Sequence, residues 1–162
     1  MRKLLPIFLV ILLTGCAHVV ASDLRAQAEK DLNVEDLFAN PTQYSGKTVM
    51  LGGEVINTVN LEDGTEIEVL EKPLDSRGRP LNTDLSRGRF IVIHPDRLDP
   101  AIFAPGREIT TVATVTGFEL RELGETDYAY LKLEAKAVYI HRYNAAGRRV
   151  PVHFGLGVFH SF

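Results

Sequence analysis

The sequence predicts an all-β domain built from five strands. Three observations carry that expectation. Three segments alternate apolar with other residues ("TVMLGGEVINTVN", "TEIEVLEKPL" and "YAYLKLEAKAVYIHRY"), a fourth, "REITTVATVTGFEL", is rich in β-branched residues, and the short apolar run "FIVIH" lies among them. Turn residues separate them, with Glu62-Asp63-Gly64 and Leu123-Gly124-Glu125-Thr126-Asp127 as the clearest. The pair Gly52-Gly53 inside the first strand has no side chains to pack, which marks a bulge or a tight bend in a curled sheet.

Each element follows from local chemistry. Asn33 caps a short helix through Val34-Glu35-Asp36-Leu37-Phe38, with acids in its first turn, Leu37 and Phe38 to dock it, and Asn40-Pro41 to stop it. In the first strand Val49, Leu51, Val55 and Val59 alternate with other residues. In the second, Ile67 and Val69 alternate with Glu66, Glu68 and Glu71, a strand with one wet face. The stretch "DSRGRPLNTDLSRGR" is a loop by composition, and Pro95 ends the third strand. The connector "PDRLDPAIFAPG" holds three prolines and supports one helical turn around Ala101-Ile102-Phe103. The fourth strand is rich in β-branched residues, and in the fifth Leu131, Leu133, Ala135 and Ala137 share one face. Five strands, a glycine bend, a short N-terminal helix and a helical connector between strands 3 and 4 match an OB-fold-like, partly open Greek-key barrel. A lipocalin-like barrel needs more strands, and a small sandwich is the alternative. The segment "NAAGRRVPVHFGLGVFHSF" is broken by glycines and Pro151 and has no assigned place.

The N-terminus reads differently. Met1-Arg2-Lys3 is a basic start, and Leu4 to Leu13 is an apolar run interrupted only by Pro6, the two parts of an export signal. The run is too short to span a bilayer, which takes about 20 apolar residues. Leu13-Thr14-Gly15-Cys16 looks like the lipobox of bacterial lipoproteins, and Cys16 is the chain's single cysteine. That resemblance implies cleavage before Cys16 and three acyl chains on it, at roughly 0.8 kcal/mol for each buried methylene. With Ala17 rather than Asp after the cysteine, it also implies sorting to the outer membrane. The expected organisation is a signal peptide over 1–15, a lipidated tether over 16–32, the barrel over 33–143 and a tail over 144–162. Lys and Arg total 18 against 21 Asp and Glu, and removal of Arg2 and Lys3 leaves 16 against 21. Such a balance argues against a nucleic-acid partner, which calls for a basic surface.

Taken together, the lipobox, "GKTVMLGGEVIN", "PLDSRGRP", "RGRFIV", "LDPAIFAPGREITTVATVTG" and the last alternating strand resemble the Slp family of starvation-inducible outer-membrane lipoproteins. Where that family carries a proline-containing run near its last strand, this sequence has "YAYLKLEAKA". The resemblance implies a lipid-anchored protein of the outer membrane, facing the periplasm and linked to stress survival. It implies no chemistry.

The most distinctive local feature is a near repeat, Ser76-Arg77-Gly78-Arg79-Pro80 and, ten residues on, Ser86-Arg87-Gly88-Arg89-Phe90. Four arginines on glycine-flexed backbone can present bidentate donors to the phosphates or carboxylates of envelope lipid and glycan. The competing reading is a solvated loop whose arginines pair with Asp75 and Asp84. Phe90, Tyr128 and Tyr130 can stack on a sugar, although strand aromatics more often serve core or cross-strand packing. His18, His94, His141, His153 and His160 show no metal-ligand spacing, and no Gly-x-Ser-x-Gly occurs. The sequence therefore predicts a protein that is not an enzyme, with no catalytic residues, metal or cofactor. An envelope-integrity or adaptor role leads, a binder of anionic glycan or lipid follows, and an envelope hydrolase stays third because fold does not set activity.

Overall fold

A computed structural model describes residues 18–142; Cys16, the segment before it and the 144–162 tail lie outside the described residues. The element order is α1 (Ser22–Gln27), α2 (Val34–Ala39), a 3-10 turn (Pro41–Tyr44), β1 (Thr48–Leu61), β2 (Gly64–Glu71), β3 (Arg89–His94), β4 (Glu108–Leu123) and β5 (Thr126–Ile140). The all-β class is as predicted. The sheet closes fully, in the order β1-β2-β3-β5-β4, with β3 parallel to β5 and every other pair antiparallel.

Closure turns on Gly53. The first half of β1 pairs with β4 and its second half with β2, and Gly53 belongs to both ladders, opposite Ile109 on one side and Glu71 on the other. A Cβ at Gly53 would run into the Leu70 carbonyl. Gly52 serves a different neighbour: a Cβ there would lie 2.5 Å from a Leu74 methyl and 3.2 Å from the Pro80 ring, so its bare backbone seats the β2–β3 loop on the barrel. The bulge expected at this pair falls instead between Val55 and Asn57, where β1 has left β4 and curls with β2.

Val49, Leu51 and Val55 of β1, Ile67 and Val69 of β2, Phe90 and Val92 of β3 and Ile109 of β4 fill the interior with Leu131 and Leu133 of β5. Ala135 packs against them, but the face predicted to run on through Ala137 does not. The β4–β5 register slips between Ala135 and Ala137, leaving Lys136 unpaired, and Val138 and Ile140 turn inward instead. Leu37 of α2 closes one end of the core. Asn33 caps that helix as predicted, its Oδ1 accepting from the Asp36 N–H at 3.1 Å. The Asp36 carboxylate accepts from the Tyr44 hydroxyl at 2.6 Å and from Asn40, bonds that hold it below the usual carboxylate range and tie α2 to the 3-10 turn. The β3–β4 connector makes a single turn, in which the Asp99 carbonyl accepts from Ile102 and Phe103, and no helix. Pro95, Pro100 and Pro105 lack the donors that a longer helix needs.

The segment 18–32 lies against the barrel. The Val19 N–H donates to the Arg77 carbonyl at 2.9 Å, the Glu29 N–H to the Thr48 carbonyl at 2.9 Å, Val20 is 2% exposed and Ala28 is buried. Among the described residues no helix is long and apolar enough to cross a membrane.

The double role of Gly53 sets an expected outcome. Gly53→Ala destabilises by about 3 kcal/mol through overpacking against Leu70, read as a lowered urea midpoint. Gly46→Ala, at φ 81° with open space around it, costs only about 1 to 2 kcal/mol of backbone strain.

Candidate functional site

The two halves of the arginine repeat meet different fates. The first forms a tight turn closed by the Leu74–Pro80 bridge. Asp75 Oδ1 accepts from the backbone N–H groups of Arg77 (2.8 Å) and Arg79 (2.9 Å), and the Arg79 bond is the main cause that holds the Asp75 carboxyl below its ordinary range. That carboxylate faces the turn's own backbone, while Ser76, Arg77 and Arg79 are exposed and Gly78 and Pro80 are buried. The Thr110 hydroxyl donates to the Gly78 carbonyl at 2.6 Å, and His141 Nε2 lies 2.8 Å from the same hydroxyl. Threonine has one hydroxyl hydrogen, already given to Gly78, so His141 must donate from Nε2. The turn is thus fastened to β4 and to the end of β5. Burial, and then the nearby Arg79 charge, lower the His141 pKa.

The second half is engaged with carboxylates on β2. The Arg87 guanidinium meets Glu71 at 3.3 Å, and its backbone N–H donates to the same carboxylate at 2.8 Å; Glu71 is 2% exposed. Arg89 Nη1 donates to Glu68 at 2.7 Å. The pairing expected with Asp84 is made with Glu71 and Glu68 instead, because the loop returns alongside the end of β2, where the Glu71 N–H donates to the Gly88 carbonyl.

On the outer face of β2 and β3 the β4–β5 hairpin leans over. Arg121 grips Glu66 with two bonds, at 2.6 and 2.7 Å, and also donates to Glu119 at 2.8 Å, which in turn accepts from Lys132 at 2.7 Å. These carboxylates hold the Arg121 guanidinium firmly charged. Tyr130 is 4% exposed, its hydroxyl 3.2 Å from Glu68, and the Arg89 N–H donates to the Tyr128 hydroxyl at 3.0 Å. Five-stranded Greek-key barrels that bind oligosaccharides do so on this face. Here the protein's own charges cover it, and Phe90, Tyr128 and Tyr130 offer no stacking platform, since Phe90 is in the core and the tyrosines pack on each other edge to face.

A groove of about 760 Å³ runs between the N-terminal segment and the barrel. Met50, Leu51 and Leu74 line it together with Arg25, Lys30, Lys72, Arg87, Glu29, Glu71 and Asp75. Sequence reasoning missed it, because the docking of residues 18–32 leaves no periodic stripe. Among the described residues no group of three potential metal ligands assembles.

With this geometry in place, the family comparison decides the chain's relationships. The model described as "Outer membrane lipoprotein Slp family" matches residues 13–155. The chain belongs to the Slp family. Membership puts this chain among lipoproteins of the outer membrane, and the matched span includes Cys16. The Slp-family chain is 28% identical over 124 residues to "Uncharacterized lipoprotein YeaY" of Escherichia coli (strain K12), covering 76% of this chain and 64% of that one. It is 37% identical over 90 residues to an "Uncharacterized protein" of Haemophilus influenzae (strain ATCC 51907 / DSM 11121 / KW20 / Rd), covering 55% and 49%. It is 23% identical over 134 residues to "Outer membrane protein Slp" of Escherichia coli (strain K12), covering 82% and 70%. The chain therefore spans less than two thirds of the first two relatives.

The His141 fastening has a pH signature. A histidine whose folded pKa is lowered takes up a proton more readily when unfolded, so its contribution to stability is complete above the unfolded value of about 6.5 and is lost as pH falls below it. His141→Gln, which keeps a donor near Nε2 but cannot titrate, should flatten that acid-side slope in urea unfolding followed between neutral pH and pH 5. An unchanged slope assigns it to other groups.

Proposed function

We propose that this Slp-family lipoprotein is non-enzymatic, carries acyl chains on Cys16, faces the periplasm, and supports envelope integrity as an adaptor through its β4–β5 hairpin. The observation that carries the adaptor reading is a pair of apolar side chains on one face of that hairpin. Phe118 is 48% exposed and Leu120 is 62% exposed, opposite Leu131 and Ala129. On the other face Glu119 and Arg121 brace the hairpin against β2. A stiff projection with an apolar face is suited to packing against a second envelope component. The non-enzymatic reading is supported by where the shifted ionisable groups sit. Arg121, Glu119, Arg89 and Asp75 are shifted chiefly by hydrogen-bond partners that tie strands and turns together, the pattern of structural ion pairs.

A second reading has its own observation. The turn that exposes Arg77 and Arg79 is rigidly held, by Asp75 from within and by Thr110 from below, so it presents basic side chains to anionic glycan or lipid without a large ordering cost.

The adaptor reading is tested in cells. In a strain lacking the protein, the wild-type chain should restore detergent resistance, and the double variant Phe118→Ser with Leu120→Ser should not, although exposed substitutions change stability by only about 0.5 kcal/mol. Full complementation by that variant overturns the adaptor reading. Loss of membrane fractionation in Cys16→Ala checks the acylation separately.

A further inference from the structure

We propose that the Asp75–Arg79 turn is a membrane-apposed clamp, in which Arg77 and Arg79 contact the phosphates of the phospholipid leaflet entered by the protein's own acyl chains. The proposal deepens the second functional reading and rests on acylation of Cys16. It commits to one source of phosphate, the bilayer beneath the anchor.

Chain length limits how far the turn can lie from the anchor. Had residues 16–32 formed a free tether, the barrel could sit tens of ångströms from the bilayer in any orientation. The described part of that segment is instead fixed from His18 onward. The Val19 N–H is bonded to the Arg77 carbonyl, the Val20 N–H donates to His18 Nδ1 at 3.0 Å, and Val20 is buried. The His18 ring lies so close over Gly78 that a Cβ there would come within 2.5 Å of it. Cys16 precedes His18 by two residues, and at about 3.3 to 3.6 Å for each residue of extended chain its Cα lies no more than about 7 Å from that of His18. Acyl chains on its sulfur and amine enter the bilayer at the headgroup level. The turn that His18 touches is therefore held at that level too.

The chemistry of the turn suits that position. Two guanidinium groups flank a buried glycine, and the carboxylate that would repel phosphate is turned onto the backbone N–H groups of the same residues. Guanidinium donors match phosphate oxygens bidentately, and each arginine near an anionic surface favours contact by about fivefold. The fastening through Thr110 carries the restraint into β4, so an orientation imposed at the turn is imposed on the whole barrel. The β4–β5 hairpin tip, at the far end of the strand that begins under the turn, then points away from the bilayer.

The test uses the full-length acylated protein, purified from membranes and reconstituted in vesicles of phosphatidylcholine with phosphatidylglycerol. A fluorophore is placed on Ser76→Cys at the turn or on Glu125→Cys at the hairpin tip, roughly 40 Å away along β4. A quencher fixed at the headgroup level should dim the probe at 76 several-fold more than the probe at 125. Arg77→Glu with Arg79→Glu, or the milder Arg77→Gln with Arg79→Gln, should reduce that difference while the protein still floats with the vesicles, the short link through His18 keeping what remains of it. About 1 M salt, where the screening length is about 3 Å, should weaken it. Equal quenching of the two probes in the wild type, or no change in either double variant, overturns the clamp and leaves acylation intact. Failure to float with the vesicles removes the acylation reading and the clamp with it.

Discussion

Two adjacent residues without side chains determine how this barrel closes and what is built on its outside. Gly53 and the Glu54 that follows it are paired on both edges, and the bare Gly53 backbone admits the close approach of Leu70, so β1 passes from β4 to β2 with no break in its backbone. Gly52 leaves room above the sheet for Leu74 and Pro80. Once those two side chains have settled, the intervening turn has little choice of position: Gly78 comes to rest over Thr110, and its hydroxyl bond fixes the turn to β4. The Arg77 carbonyl then becomes the acceptor that draws in Val19. A chain of contacts thus runs from the glycine pair, through the loop, to the segment nearest the lipid anchor, and each step depends on the one before.

The local features of this fold were legible in the sequence, and the non-local ones were not. Alternation found the strands, the Glu62-Asp63-Gly64 turn found the first hairpin, and Asn33 found the start of α2, because each signal lies within a few residues of the structure it encodes. The inward turn of Val138 and Ile140 was not legible. It depends on Lys136 being skipped in the pairing with β4, a choice made between strands and invisible within either one. Nor could the sequence separate the two arginine motifs. They share the tetrapeptide Ser-Arg-Gly-Arg, but the first follows Asp75, which folds it on itself, whereas the second lies beside Glu71 and Glu68, carboxylates 16 and 21 residues away. Repetition in sequence says nothing about which acid a loop will return to.

Electrostatics here is mainly a matter of placement. The chain carries more acids than bases, and β2 alone contributes Glu66, Glu68 and Glu71. Each of these carboxylates meets an arginine from another element: Arg121 of β4, Arg89 of β3 and Arg87 of the loop. The partly exposed pairs at Glu66 and Glu68 add little stability one at a time, whereas the buried Glu71 carboxylate needs its Arg87 partner to be tolerated at all. Their joint effect is positional, since they hold the β4–β5 hairpin and the loop at fixed angles to the barrel, and they cover the sheet face where related architectures take ligands. Of the four arginines in the repeat, Arg87 and Arg89 pair with these β2 carboxylates, whereas Arg77 and Arg79 stand on the turn whose backbone receives Val19.

That relocation bears on how a small lipoprotein works. A body on a long flexible tether samples a wide volume, and its effective concentration against any one partner falls as the volume grows. A body whose N-terminal segment is packed against its own barrel samples much less. Val20 and Ala28 are buried at isolated points with no periodic stripe, which is enough to hold the segment without making it part of the core. Shortening the free link in this way leaves the span of the barrel to set the distance reached from the bilayer. Among the described residues the longest hairpin is β4–β5, with strands of 16 and 15 residues and apolar side chains on one face near its tip. On the adaptor reading proposed above, a stiff arm rather than a loose tether would set the plane above the membrane in which a partner is met.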